Sequence, residues 1–169
     1  TGLVESFRKP GGRLTGIYSG FVELSAKRLE ILKEMIPRLR RVVSFYRPDN
    51  PQSQRNEKVA RDAARQLKVE LLERPYTSVE ELRAGLRALR AGEADAFYPL
   101  TDGMMISQTE LVIETARAKR LPLVLSDPDS VVKGALAGYG VSYFAIGRLA
   151  AKYVQRILLG AHPGELPVE

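Results

Sequence analysis

The chain alternates between stretches in which apolar residues recur every three or four positions and short, nearly continuous apolar runs. The first pattern is typical of amphipathic helices, and the second of strands buried on both faces. It predicts helices over 22–36, 51–67, 78–91, 107–120, 131–134 and 143–159. It predicts strands over 41–46, 69–72, 95–100, 121–126 and 136–141. Because such alternation through short connections needs a parallel sheet covered on both faces, the sequence predicts a doubly wound, three-layer α/β domain.

Ligands of doubly wound sheets bind beyond the carboxyl ends of the strands, where loops enter helix N-termini. This rule selects the loops 46–53, 99–103, 126–130 and 139–143. Their hydrogen-bonding side chains are Asn50, Ser53, Thr101, Asp102, Ser126, Asp127, Asp129, Ser130, Tyr139 and Ser142. The loops contain no His, Cys or Lys and no glycine-rich phosphate motif, so they favour binding of a small molecule over catalysis.

Asp127 directly follows a predicted strand, where its carboxylate suits a ligand ammonium group or sugar hydroxyls. The alternative role is the N-cap of the short helix that follows, since Asp is a favoured cap. Asp129 or Ser130 could cap that helix equally well, which would free Asp127. We therefore expect Asp127 to contact the ligand.

Four further candidates lie at helix starts and have two interpretations each. Thr101 and Asp102 either contact a ligand or cap the helix that follows them. Asn50 and Ser53 flank Pro51, where free N–H groups suit a ligand carboxylate. Capping is the favoured role of Asn50.

Tyr139 is the one aromatic candidate, and a glycine stands on either side of it at a predicted hinge. Its ring either stacks on a ligand or fills the core. The single histidine, His162, lies in a connector rich in Pro and Gly, so no base is available for a nucleophile. The sequence predicts that the protein is not an enzyme.

The composition narrows the class of protein further. The formal net charge is +6, but basic and acidic residues are interleaved along the helices, as at Lys27, Arg28 and Glu30 and again at Arg55 and Glu57. Such mixing predicts solvated helix faces and no nucleic-acid partner. The chain has no cysteine, and we predict no metal and no cofactor. No apolar run reaches the roughly 18–20 residues of a membrane span.

Several segments, in this order and spacing, resemble one family. They are 10–16 (PGGRLTG), 27–37 (KRLEILKEMIP), 48–51 (PDNP), 98–102 (YPLTD), 126–140 (SDPDSVVKGALAGYG) and 160–169 (GAHPGELPVE). Together they are similar to the ABC-transporter substrate-binding proteins of the tryptophan/tyrosine-type uptake family. The resemblance covers essentially the whole chain.

The resemblance implies a type I periplasmic-binding-protein fold, in which two α/β lobes close on a ligand. It implies that residues 1–19 are the end of the first lobe and its crossover, and that 20–141 form the second lobe. Residues 142–169 would return to the first lobe and start the last crossover. The first lobe and any leader would then precede Thr1.

The resemblance also implies a function. We expect the solute-binding component of an ABC importer, which takes an amino-acid-like ligand, such as an aromatic or branched amino acid, to an ABC permease. We expect it to be bacterial, and periplasmic or extracellular and membrane-anchored. The alternative is the effector-sensing domain of a transcription regulator, which shares this fold.

The helix over 143–159 has more apolar positions than one buried face needs. In the family, part of that surface packs on the first lobe. Without such a partner an apolar patch stays exposed, and exposed patches of this kind tend to associate. We therefore expect a homodimer of the isolated chain, or a swapped arrangement, at high concentration.

Overall fold

The computed structural model describes residues 3–20 and 22–169, so the first two residues of the predicted first segment and residue 21 lie outside the described part. The chain divides into two compact units. We call Phe21–Gly140 the sheet unit, and Thr1–Gly20 together with Val141–Glu169 the terminal unit.

Helices and strands alternate through the sheet unit. Its helices are α1 (Glu23–Met35), α2 (Pro51–Leu67), α3 (Val79–Ala88), α4 (Gly103–Ser107) and α5 (Thr109–Ala118). Its strands are β1 (Arg41–Tyr46), β2 (Glu70–Pro75), β3 (Ala96–Phe97), β4 (Val124–Leu125) and β5 (Ala137–Gly138). A 3₁₀ turn over Pro128–Lys133 lies between the last two strands.

The strands of the described chain pair in parallel. β1 lies between β2 and β3, so that Val43 is opposite both Leu72 and Phe97. β4 pairs with β5, and a parallel bridge between Phe97 and Leu123 connects this pair to the other three strands. The resulting order is β2-β1-β3-β4-β5. From β1 the chain first adds β2 on one side of the sheet and then adds β3, β4 and β5 on the other side. Sheets of this kind bind ligands at the point between β1 and β3 where the direction of addition changes.

The sheet has an apolar core on each face. Successive residues of a strand point to opposite faces, so Val42 joins one core and Val43 the other. One core packs the sheet against α1 and α2, with Leu32 fully buried. The other packs it against α3 and α5, with Leu86 fully buried. This arrangement confirms the predicted doubly wound, three-layer α/β fold.

Side-chain caps fix two helix starts. The Asn50 side-chain oxygen accepts from the backbone N–H groups of Gln52 and Ser53, both at 2.9 Å, and caps α2. The Ser78 hydroxyl accepts from the Glu81 N–H at 3.1 Å and caps α3. Each cap satisfies N–H groups that have no partner within the helix. Both confirm the predicted starts.

Three predicted strands are much shorter in the structure. The runs 95–100, 121–126 and 136–141 give only the two-residue strands β3, β4 and β5. Pro99 and Pro122 lie within the first two runs and have no N–H to donate, so β3 and β4 are joined by a single bridge, between Phe97 and Leu123. On the other side of β3, the N–H groups of Tyr98 and Leu100 still donate to the β1 carbonyls of Val43 and Phe45. In contrast, β2 continues to Pro75, beyond its predicted end.

The helix predicted over 107–120 is α5, which begins only at Thr109, and a separate short helix, α4, precedes it and ends at Ser107. The hydroxyls of these two residues donate to the carbonyls of Met104 and Ile106, each at 2.7 Å. Such local bonds compete with the helical ladder. The backbone turns at Gln108, between the two helices.

The prediction that mixed charges mark solvated helix faces is wrong at two positions. Arg28 of α1 is only 1% exposed, and Glu57 of α2 is 8% exposed. Arg28 precedes Leu29 on the buried face of α1, and Glu57 lies three residues before the buried Ala60. Both residues therefore follow the core-facing spacing of their helices.

The terminal unit contains the long helix α6 (Tyr143–Leu158), which confirms the helix predicted there. Backbone bonds hold its remaining segments, including one from the Val168 N–H to the Phe7 carbonyl at 2.6 Å. The Tyr153 hydroxyl donates to the Pro167 carbonyl at 2.8 Å and fastens α6 to the last residues of the chain.

Candidate functional site

The loop after β1 uses its own polar side chains to hold its shape. Ser53 is fully buried, and its hydroxyl accepts from the Arg47 N–H at 2.8 Å. The Asn50 side-chain oxygen already accepts the hydrogen bonds that cap α2. Both residues therefore have a structural role in this loop, and their contact with a ligand stays a prediction.

Asp102 caps α4, and both of its carboxylate oxygens have partners. Oδ1 accepts from the N–H groups of Met104 and Met105 at 2.8 and 3.0 Å, and Oδ2 accepts from the Tyr76 hydroxyl at 2.8 Å. Burial raises the pKa of Tyr76, and the Asp102 charge raises it further, so the phenol keeps its proton and donates. A buried carboxylate with this many donors anchors the start of the helix.

Asp127 is the N-cap of the 3₁₀ turn, which is the alternative role considered for it, and neither Asp129 nor Ser130 takes over the cap. Its Oδ1 accepts from the Asp129 N–H at 3.0 Å. The backbone of Asp127 is extended and Pro128 follows, which is the usual geometry of a cap. Across the described residues no partner is found for Oδ2, and Asp127 is half-buried. One oxygen therefore serves the cap and the other remains an acceptor.

The segment around Tyr139 packs directly on the loop of Asp127. A Cβ atom at Gly138 would overlap the Asp127 carbonyl, and one at Gly140 would overlap the Ser126 carbonyl. Only glycine allows this approach of the two backbones. Because side chains alternate along an extended segment, Tyr139 points away from that contact, and it is 38% exposed. The structure thus brings Tyr139 and Asp127 into neighbouring segments.

A buried polar network, which the sequence pattern did not predict, supports these loops from inside the sheet unit. The Asn56 side-chain amide donates to the Thr101 carbonyl at 3.0 Å, and the Ser25 hydroxyl donates to the Asn56 side-chain oxygen at 3.3 Å. Arg28 donates to the Ser25 hydroxyl at 2.7 Å and to the Tyr139 carbonyl at 3.3 Å. The network therefore links α1 and α2 to the ends of β3 and β5.

Tyr98 completes this network. Its hydroxyl donates to the Ser25 carbonyl, and Arg28 lies beside it. Burial raises the pKa of Tyr98 to about 12, so the hydroxyl is protonated at neutral pH. The signal in the sequence is a set of polar residues at core-facing spacing, since Ser25 and Arg28 share a helix face with Leu29 and Leu32.

A second charged cluster lies where α2 packs on the edge strand β2. Arg61 forms ion pairs with Glu57 and, at 3.0 Å, with Glu73. The pKa of Glu57 is raised to about 7, chiefly by burial and also by the neighbouring Glu73 carboxylate, against the opposing effect of Arg61. Within this cluster Glu57 titrates near neutral pH, and the cluster lies apart from the loops described above.

The described residues hold no group of three or more His, Cys, Asp or Glu side chains placed to bind a metal ion. Within the same ranges, 3–20 and 22–169, no helix is both long and apolar enough to cross a bilayer. The chemistry at the strand ends consists of hydroxyl, phenol and carboxylate groups on a rigid support. Such groups can hold a small polar molecule by hydrogen bonds and one charge.

A family model for ABC transporter substrate binding proteins matches residues 1–169. The chain belongs to this family. The resemblance inferred from the sequence motifs is thereby confirmed. Substrate-binding proteins of ABC transporters are binding proteins, and they are periplasmic, extracellular or membrane-anchored.

Individual proteins show the same relationship. The tyrosine-binding protein of Clostridioides difficile (strain R20291) is 29% identical over 167 residues, which are 99% of this chain and 48% of that relative. A conserved domain protein of Vibrio cholerae has a TM-score of 0.82 at 27% identity, covering 98% of this chain and 55% of that one. The chain thus spans about half the length of these relatives.

A third protein supports the fold. The ABC domain from Streptococcus pneumonia, solved in complex with L-Trp, has a TM-score of 0.79 at 21% identity. The superposition covers 99% of this chain and 57% of that one. At this identity the likeness shows a shared fold.

Proposed function

We propose that this chain is part of the solute-binding component of an ABC importer and binds an amino acid, with an aromatic one such as tyrosine favoured. The observation that carries the proposal is the match of the family model to every residue from 1 to 169. The tyrosine-binding relative, 29% identical along nearly the whole chain, supports the ligand class. The same family match favours uptake over the alternative, an effector-sensing domain of a transcription regulator.

In this proposal the contacts of Asp127 and Tyr139 determine which ligand is bound. The Asp127 Oδ2 atom accepts from the ligand ammonium group, which gives a charge-assisted bond. The Tyr139 ring stacks on an aromatic ligand side chain. Thr101 offers its hydroxyl from the end of β3, while Asn50, Ser53 and Asp102 keep the loops in shape.

The proposal also covers the two lobes of the protein, its partner and its location. Residues 1–19 and 142–169 belong to a first lobe or its crossovers, and 20–141 form the second lobe. The ligand binds between the two lobes and is delivered to an ABC permease. The protein is periplasmic, or extracellular and membrane-anchored, and it acts without catalysis and without nucleic acid.

Isothermal titration of the two-lobe protein that carries this chain, with L-tyrosine, L-tryptophan and L-leucine, tests the proposal. Asp127→Ala should weaken binding by about 30-fold to several thousand-fold, because the ligand ammonium group loses its buried partner. Asp127→Asn should recover part of the affinity. The chain alone should bind poorly, since it would supply only one side of the cleft.

The matched control is Asp129→Asn, which removes a carboxylate from an exposed position of the same turn and should leave the affinity unchanged. The stability change of Asp127→Ala should not exceed the ~1 kcal/mol of a lost cap. No binding of any amino acid would overturn the proposed function. Unchanged affinity with a lower melting temperature would remove Asp127 from the site and leave it a cap.

A further inference from the structure

Arg28 is among the largest fully buried side chains of the described residues, and it is charged. It lies in the second turn of α1 and faces the core with Leu29 and Leu32. Removing a guanidinium from water is costly unless a partner compensates it. Over residues 3–20 and 22–169, no carboxylate lies within ion-pair distance of Arg28. This burial therefore needs a reason other than an ion pair.

The partners of Arg28 are neutral oxygens. They are the Ser25 hydroxyl at 2.7 Å, the Tyr139 carbonyl at 3.3 Å and the neighbouring Tyr98 hydroxyl. Nε has no partner in the described part of the chain. Burial lowers the pKa of Arg28, yet a guanidinium stays charged at neutral pH. The planar guanidinium group of Arg28 thus connects α1 to the backbone carbonyl of Tyr139 at the end of β5.

The peptide groups of Tyr139 are held on both sides. The Tyr139 N–H donates to the Leu125 carbonyl at 2.9 Å, and the Tyr139 carbonyl accepts from Arg28. The glycines beside Tyr139 have no side chains of their own to anchor the segment. A change at Arg28 would therefore release the carbonyl side of Tyr139, while the ladder bond and the close backbone packing at Gly138 and Gly140 would remain.

We infer that Arg28 is a positioning residue for the ligand site, which fixes the direction of the Tyr139 side chain by holding the Tyr139 carbonyl. The inference rests on the proposed function, in which Tyr139 contacts the ligand. Packing alone would be served by an apolar side chain of similar volume at no desolvation cost. The Arg28 guanidinium donates hydrogen bonds from several N–H groups and can therefore fix the orientation of a backbone carbonyl at a strand end, which an apolar side chain cannot do.

A double-mutant cycle on the two-lobe protein tests this coupling with L-tyrosine as the probe. Arg28→Met should weaken binding by roughly 5- to 50-fold, because the ring of Tyr139 is no longer held in place. In a Tyr139→Ala background, Arg28→Met should change the affinity by less than about 2-fold. Arg28→Lys keeps a charge and a donor but loses the planar guanidinium group, and should restore part of the affinity.

Leu32→Ala is the matched control for lost stability. Leu32 lies four residues further along the same face of α1 and is fully buried, but its side chain takes no part in the hydrogen bonds of the network. This variant should lower the melting temperature as Arg28→Met does and leave the affinity within about 2-fold. Equal loss of affinity in both variants would overturn the inference and assign Arg28 to general stability.

A second readout needs no ligand. The chain contains no tryptophan, so the substitution Tyr139→Trp introduces a single indole fluorophore into it at the strand end. Adding Arg28→Met should shift the indole emission and raise its quenching by acrylamide, while adding Leu32→Ala should change neither. Unchanged emission and quenching would overturn the inference. Failure of the parent protein to bind any amino acid would instead overturn the proposed function, and the indole fluorescence of the Tyr139→Trp variant would still decide the role of Arg28.

Discussion

The sheet unit and the terminal unit differ in where their apolar side chains lie. In the sheet unit, Leu32, Leu86 and Phe97 are fully buried in the two cores that cover the sheet. In the terminal unit, Phe144 is 76% exposed and Leu158 is 80% exposed, although both belong to the regular helix α6.

This difference shows which interactions hold each unit. Full burial of a side chain such as Leu contributes about 1.5–3 kcal/mol, whereas an intramolecular hydrogen bond has a net contribution of about 1 kcal/mol. The sheet unit has two cores, while the terminal unit relies on backbone bonds such as that from the Gly11 N–H to the Gly164 carbonyl, at 3.2 Å. We therefore expect the sheet unit to determine the global free energy of unfolding and α6 to open first.

The largest effect should come from truncating the same residue type in each unit. Leu86→Ala removes a fully buried side chain and should lower the free energy of unfolding by about 2–5 kcal/mol. Leu158→Ala removes an exposed one and should change it by no more than about 0.5 kcal/mol. Urea unfolding followed by circular dichroism measures both. Comparable losses in the two variants would contradict the contrast between the units.

The next effect concerns the buried acid of the sheet unit. Glu57 has its pKa raised to about 7 in the folded protein, above the value of 4.5 for a free side chain. The protonated form is thus favoured by folding. Its stabilising effect is complete below pH 4.5 and is lost as the pH rises through about 7. The free energy of unfolding should fall over this window by at most about 3 kcal/mol.

Glu57→Gln should remove this dependence and make the protein more stable than the parent at pH 8. Unfolding by urea at pH 5, 6.5 and 8 provides the comparison. Glu165→Gln changes an exposed acid of the terminal unit and serves as the control, with the pH profile of the parent. If the parent protein is as stable at pH 8 as at pH 5, and Glu57→Gln matches it throughout, Glu57 does not carry this titration.

A third prediction uses the exposed face of α6. We expect the isolated chain to self-associate through this face, because apolar side chains such as Phe144 and Leu158 lie in solvent. Replacing both with Ser should weaken association by about tenfold, equivalent to about 1.4 kcal/mol. Sedimentation equilibrium up to millimolar concentration measures it. A parent chain that stays monomeric at that concentration would refute the prediction.

The sequence was sufficient for the fold because its signals are local. Periodicity and caps located the helices, and Asn50 and Ser78 cap the helices that their positions predict. The pairing of β3 with β4 depends on which backbone groups have an N–H to donate, and with Pro99 and Pro122 present it is a single bridge. A pattern of apolar residues does not contain that information.

The candidate site was only partly predictable. The strand-end rule selects Asp127 and Tyr139, but it does not show that the cap uses one Asp127 oxygen. The charged neighbours of Arg28 along the chain predict a solvated side chain at that position. Its burial depends on contacts with Tyr98 and with a strand more than a hundred residues away, which no local pattern encodes.

The smallest effect should come from the N-caps, and it distinguishes how the two units unfold. Asn50 accepts two N–H groups at 2.9 Å at the start of α2, whereas Ser142 accepts one, from Ala145 at 3.2 Å, at the start of α6. Asn50→Ala should lower the global free energy of unfolding by about 1 kcal/mol, since α2 packs on a core. Ser142→Ala should leave that value unchanged within about 0.5 kcal/mol and speed amide hydrogen exchange in α6 only.

Hydrogen exchange monitored by mass spectrometry, together with urea unfolding, separates the two outcomes. If α6 opens on its own, a lost cap shifts that local opening and does not reach the sheet unit. An equal loss of global stability in both variants would mean that α6 unfolds together with the sheet unit, so that its exposed apolar side chains do not make it the weaker element.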